Sequence, residues 1–380
     1  MPDTSRDEQL VARAERLRSF LARDPDNKAL QLDAATAALD AGLSNAAVAV
    51  VDDAEVRGTV EPNLRNLRAL AQLREGRAQA AIDDLLHVRE QNEDTPQLRF
   101  NLAWAYALTE AWDQAADLLD EDAVAASPRG PSLKIQVLHH LDRYEDALQV
   151  GAELALRFPN NEALMGALAT LSMDAEREDL ARGYAEKAGD SSEGLAARGL
   201  FALEADEPIN AALFFDRALE AQPANPRAWV GKGLALLAEA EPALAADALD
   251  RGAEIFGNHP GSWIAAGWAH FIAGDVARAR ARFERVTAID PTFSEGHGGL
   301  AVIALLSGDA DTAKRSSEIA LKLDRTSLGG ALASSLLLQS TGQPEAANRI
   351  REIALNSPIG PGGKTLAQAL AASARGFVKS

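Results

Sequence analysis

The stretch GSWIAAGWAHFIAGDVARARARFERVTAIDP, Gly261–Pro291, decides the fold. It places Trp263, Trp268, His270 and Phe271 within nine residues, in a chain with only 5% aromatics. Such a cluster is either a pocket or the way two helices pack, and spacing separates the two readings. Trp263, Gly267, Ala279, Phe283 and Pro291 stand 4, 12, 4 and 8 residues apart. Moved back by 34 residues, the same frame finds Trp229, Gly233, Ala245 and Leu249; moved back again, it finds Leu195, Gly199, Ala211, Phe215 and Pro223. Moved forward, it finds His297, Ala301 and Ala313, then Ala331, Ser335 and Ala347. Five units in phase are internal repetition, and a period of this length means a solenoid.

The unit has a simple logic. Positions 4, 7, 8 and 11 form one face of a first helix at 3.6-residue periodicity. A glycine or small polar residue near position 15 ends it, as at Gly42, Gly76, Gly274, Gly308 and Gly342. A small residue at position 20 lets a second helix approach, and positions 24 and 27 carry its apolar stripe. Proline near position 32 stops it, as at Pro25, Pro159, Pro223 and Pro291.

This pattern resembles the tetratricopeptide repeat, whose Trp, Leu-Gly, Tyr, Ala, Phe and Pro positions it follows. QLREGRAQAAIDDLL, YALTEAWDQAADLL and HLDRYEDALQV are further clear copies. The resemblance implies an all-α chain wound as a right-handed superhelical solenoid. About ten units fill residues 28–361, with irregular joints near 120–131 and 188–194, where the phase breaks. Residues 1–27 and 362–380 read as single capping helices, since the end units of an array must shield an apolar face from water.

Composition narrows the function. The chain has 380 residues, a net charge of −18 and no cysteine. Acidity of this size opposes binding to a nucleic-acid backbone, which needs clustered Lys and Arg. Absent cysteines remove disulfides, thiolate metal sites and thiol catalysis. The N-terminal stretch MPDTSRDEQLVARAERLRSF lacks the apolar segment of a secretory signal, and GLAVIALL at Gly299–Leu306 is too short to span a bilayer. A cytoplasmic protein without membrane insertion is expected. The excess of Arg over Lys and the abundant Ala point to a bacterial source.

Catalytic chemistry is hard to place. None of the six histidines has metal-ligand spacing, and His270 and His297 stand at packing positions 11 and 4. SPIGPGGKT, beginning at Ser357, lacks the first glycine and the preceding strand of a phosphate loop, and reads as a joint to the last helix. The acidic pairs Asp83–Asp84 and Glu121–Asp122 read as solvated. The expectation is therefore no catalytic residue, no metal, no cofactor and no enzyme.

In such arrays the resemblance implies that positions 2, 5, 9, 12 and 13 of the first helices line a concave groove. Here the N-terminal half offers a mixed set that includes Trp104, Arg129 and Gln136. The C-terminal half turns apolar, with Leu234, then Ile264, Trp268 and Phe271, then Val302 and Leu305, then Leu336. The family's basic clamp for a peptide carboxylate is absent, because positions 5 and 9 read Leu32/Thr36, Asn66/Leu70, Phe100/Trp104 and Ser132/Gln136. The expected function is a scaffold that binds an amphipathic helix or extended segment of another protein. The alternative is a chaperone or accessory factor of a bacterial secretion, pilus or envelope-assembly system.

Overall fold

The computed structural model describes residues 4–91 and 94–356. The proposed C-terminal cap and the SPIGPGGKT joint lie outside the described residues. Contacts divide the chain into two units, residues 1–171 and 172–380. In the first unit α1 (Thr4–Leu21) precedes the pairs α2 (Lys28–Asp40) with α3 (Ser44–Val56) and α4 (Pro62–Arg74) with α5 (Ala78–Gln91). Then come α6 (Pro96–Leu108) with α7 (Trp112–Leu118), the extra short helix α8 (Glu121–Ala125), and α9 (Gly130–His140) with α10 (Tyr144–Arg157). Helix α11 (Glu162–Asp174) spans the junction. The second unit continues with α12 (Glu178–Lys187), α13 (Ser192–Glu204) with α14 (Pro208–Ala221), and α15 (Pro226–Ala238) with α16 (Pro242–Phe256). It goes on with α17 (Pro260–Ile272) and α18 (Val276–Ile289), α19 (Ser294–Leu306) and α20 (Ala310–Leu323), and α21 (Leu328–Ser340) and α22 (Pro344–Asn356). There is no strand among the described residues. The architecture is an all-α repeat solenoid of helix pairs. No helix among the described residues is long and apolar enough to cross a membrane.

A left-handed residue ends the first helix of every pair. Gly42, Gly76, Glu110, Asp142, Glu176, Asp206, Ala240, Gly274, Gly308 and Gly342 all have φ between +55° and +84°. The next amide bonds back to the carbonyl five residues upstream, as from Arg77 to Gln72 at 2.8 Å and from Glu241 to Leu236 at 2.9 Å. This is the Schellman closure, which turns the chain sharply into the second helix. Glycine or a small polar residue was expected here; Asp142 and Asp206 fit that, whereas Glu110, Glu176 and Ala240 do not. A Cβ in this region costs roughly 1–2 kcal/mol.

Aromatic rings lock successive pairs together. Phe283 on α18 is fully buried, with Gly267 of α17 on one side and Gly299 of α19 on the other. A Cβ on either glycine would stand 2.5–2.6 Å from the ring, inside van der Waals contact. Phe215 is held in the same way by Gly199 on α13 and Gly231 on α15. Each ring therefore touches its own first helix and the next one. A second periodic contact fixes the entry to three first helices. Trp229 Nε1 donates to the Pro223 carbonyl at 2.8 Å and Trp263 Nε1 to the Gly257 carbonyl at 2.7 Å, while His297 Nε2 lies 2.9 Å from the Pro291 carbonyl.

Charged groups inside the helix layers correct the solvated reading of Asp84. Its carboxylate is 5% exposed and takes Nε and Nη2 of Arg68 at 2.8 and 2.7 Å. Asp52 and Glu55 on α3 also accept from Arg68, so one guanidinium ties α3, α4 and α5 together. These hydrogen bonds, Asp84's first, push the Arg68 guanidinium above its ordinary value. The partner Asp83 is exposed, as are Glu121 and Asp122.

The turn residue Ala240 gives a direct test. It has the left-handed backbone but no polar side chain to offset the strain. Ala240→Gly should raise stability by about 1 kcal/mol, read as a higher urea midpoint at unchanged slope. A lower midpoint would show that the turn is not strained.

Candidate partner-binding surface

Three of the expected groove residues belong to the first unit. Trp104 on α6 is half-buried against the core that contains Leu102 and Leu133. The Arg129 guanidinium lies over its indole, 5.5 Å from the ring centroid, in cation–π range. Gln136 on α9 is exposed. Beside them Gln97 bonds to Asn101 at 3.0 Å, and Asn101 reaches Asn66 at 3.4 Å. This face is polar and self-bonded around one aromatic.

The other seven lie in the second unit and fall into three groups. Leu234 and Leu336 are 36% and 45% exposed. Ile264, Trp268, Phe271 and Leu305 are half-buried. Trp268 meets Phe271 edge-on at 5.6 Å and Phe283 at 5.2 Å, and it packs against the buried clusters that contain Ile303 and Val302. Trp268 thus joins α17 to the cluster formed by α19 and α21, and it remains half-buried. Val302 forms the third group alone. It is 4% exposed among Ala301 and Ala333, so it belongs to the core and offers no surface.

Two glycines account for that burial. A Cβ on Gly298 would stand 2.6 Å from the Gly330 nitrogen, and one on Gly329 2.6 Å from the Gly298 carbonyl carbon. The α19 and α21 backbones are in direct contact at this point, which leaves no room between them for a side chain. Glu295 strengthens the junction by accepting the Leu328 and Gly329 amides at 2.5 and 3.2 Å. Burial pushes its carboxyl above the ordinary value, against the pull of those amides.

The most exposed apolar side chains at these helix ends are Ile272 and Leu306, at 60% and 61%, with Leu332 at 41%. Ile272 and Leu306 stand one period apart at position 13, a signal present in the sequence. Asp250 on α16 holds a part-buried polar joint with α17 and α18. It accepts Nε and Nη2 of Arg282 at 2.7 Å each and lies 2.9 Å from His270 Nε2. Burial alone would raise the Asp250 carboxyl, but the hydrogen bonds from Arg282 and then His270 hold it below its ordinary value. His270 is thus a buried structural partner, 2% exposed. No group of acidic, histidine or cysteine residues among the described residues could hold a metal ion.

Comparison with known proteins agrees with this architecture. The family model described as tetratricopeptide repeat matches residues 66–131, 197–261 and 264–313. No curated protein matches the chain. Among solved structures, an IFIT1 monomeric mutant with Gppp-AAAA superposes with a TM-score of 0.53 at 13% identity, covering 86% of this chain and 90% of that one. The APC/C hetero-tetramer Cut9-Hcn1 gives 0.48 at 13% identity, covering 93% and 85%. PilW, a type IV pilus biogenesis factor, gives 0.43 at 18% identity, covering 51% and 92%. At these identities the likeness is one of fold.

The two tryptophans of the opening stretch should behave differently. Trp263 is 8% exposed, hydrogen-bonded and under the Arg282 guanidinium. Trp263→Ala should cost about 3–5 kcal/mol. Trp268→Ala, at a half-open site, should cost about 1–3 kcal/mol. Equal losses in denaturant unfolding would place Trp268 wholly in the core.

Proposed function

We propose that this chain, which is a tetratricopeptide-repeat protein, works as an interaction scaffold whose second unit receives an amphipathic segment of a partner protein. The observation that carries this reading is the row Leu234, Ile272, Leu306, Leu332 and Leu336, all on first helices and each 36–61% exposed. Exposed apolar side chains recurring on successive first helices favour a partner that covers them. Behind the row, Trp268, Phe271 and Ile264 supply a packed floor that does not need to reorganise on binding. In helix-in-groove recognition an amphipathic helix lays its apolar face on such a surface. The net charge of −18 favours a partner with basic flanking residues, and that attraction acts mainly on the association rate. Trp104 with Arg129 forms a second, more polar contact area on the first unit.

The test uses Leu306→Ser with Leu336→Ser. Both side chains are largely exposed, so the double variant should melt within about 3 °C of the parent. Against the partner captured from the native host, affinity should fall at least about tenfold, with little change in its salt dependence. Unchanged affinity in a folded double variant overturns the reading.

A further inference from the structure

The start of α17 is held by a side chain that titrates. First helices elsewhere are capped by neutral residues at the last position of the preceding unit. Asn27, Thr95, Asn161, Ser191, Asn225 and Ser327 each accept the amide three residues on, as Asn225 does from Ala228 at 3.0 Å. At α17 the same position holds His259, whose Nδ1 accepts the Ser262 amide at 3.2 Å. A backbone amide can only donate, so Nδ1 carries no proton and the neutral ring bears its hydrogen on Nε2. A protonated imidazole has no lone pair left with which to accept. Among the described first helices, His259 is the one N-cap residue that bonds through its side chain and titrates near neutral pH.

The link from α16 to α17 is tightly bonded around this ring. Gly257 ends α16 with a φ of +70°, and its carbonyl takes Nε1 of Trp263 at 2.7 Å. Ser262 Oγ donates to the His259 carbonyl at 2.8 Å, and the Phe256 ring lies 5.1 Å from the imidazole. Charged groups reach the junction from three other helices. Arg227 on α15 and Asp174 on α11 pair with each other at 2.5 Å and act on the imidazole in opposite senses. Arg285 on α18 donates to the neighbouring Asn258 at 3.4 Å. His259 as a whole is exposed, so protons reach it from solvent. Local burial of the ring and then Arg227 push the imidazole below its ordinary value, while Asp174 pulls the other way. A histidine shifted in this direction contributes stability that is complete above the ordinary value of about 6.5. That stability is lost as the pH falls through the lower, folded value.

We propose that His259 is an acid-operated release on α17: protonation of its ring removes the cap on Ser262 and frays the first turn of the helix that carries Trp263, Ile264 and Trp268. Two further effects act in the same direction. The new charge stands beside Arg227, and it stands at the positive end of the α17 dipole. The neutral caps of the other first helices hold at any pH, so the response is confined to α17 and its immediate neighbours. The device belongs to the chain alone. Its test needs no partner, and its failure leaves the proposed scaffold surface untouched.

The experiment follows the full chain, isotope-labelled at the nitrogens of His, Ser and Trp, by NMR between about pH 7.5 and about pH 5. The His259 ring should titrate within that range, with a midpoint below the ordinary histidine value. The Ser262 and Trp263 amide signals should move with the same midpoint. Their protection from hydrogen exchange, corrected for the intrinsic effect of pH, should fall about fivefold. His259→Asn, which supplies the neutral cap found at Asn225, should keep full protection across the range. His259→Ala should show, already at the upper end of the range, the protection of the acidified parent. Circular dichroism and the melting temperature establish that each variant is folded. Four results would each overturn the proposal: Ser262 and Trp263 unmoved while His259 titrates, no titration of His259 in the range, acid fraying that persists in His259→Asn, or a folded His259→Ala protected like the parent at the upper end.

Discussion

The structure of the second unit depends on a phenylalanine ring held between two glycines. Phe283 fills the space over Gly267 in its own pair and Gly299 in the next, with no gap wide enough for a methyl group on either side. One side chain therefore sets both the distance within a helix pair and the distance between pairs. Burying such a ring is worth about 2–3 kcal/mol by area alone. Its close packing adds a geometric demand that a looser apolar contact does not make. Phe215 with Gly199 and Gly231 repeats the arrangement, so the same constraint recurs along the unit.

The helix surfaces follow from that spacing. Once consecutive first helices are held at a fixed distance, position 9 and position 12 side chains either fill the space between them or project past it. At α17 the space holds Trp268, which stays half-open. At α19 and α21 a second pair of glycines, Gly298 and Gly329, brings the backbones into contact and buries Val302. Exposed apolar side chains remain at Leu234 on α15, at the ends of α17 and α19 (Ile272 and Leu306), and at Leu332 and Leu336 on α21. Polar joints add specificity to the same scheme. Asp250 with Arg282 and His270, and Arg68 with Asp84, connect neighbouring helices through directional bonds that tolerate one register.

Much of this was legible in the sequence, because a period is visible wherever the same residue type recurs. Trp263, Gly267, Ala279 and Phe283 carried the fold, and all four are buried. What stayed hidden lies in residues whose type does not reveal their environment. Glu110, Asp142, Glu176, Asp206 and Ala240 make the same left-handed turn as the glycines, but four of them read as ordinary solvent-facing acids. Asp84 looked solvated because its partner Arg68 is 16 residues away on another helix. Val302 sits in phase with Trp268 and yet is buried, because the Gly298–Gly329 contact departs locally from the repeat. Periodicity describes the average pair, and these sites depend on a particular neighbour.

The central claim is that the ring–glycine clasp couples each pair to its immediate neighbours and no further. In an array built this way stability is local. Hydrogen exchange on Gly299→Ala, compared with the parent chain, measures this most directly. The new methyl group must displace the buried Phe283 ring, which has no free space to enter. The account predicts lost protection in α17–α20, with the amides of α2–α5 and of α13–α14 exchanging as in the parent. Uniform loss of protection along the chain, or no loss in α17–α20, would contradict it.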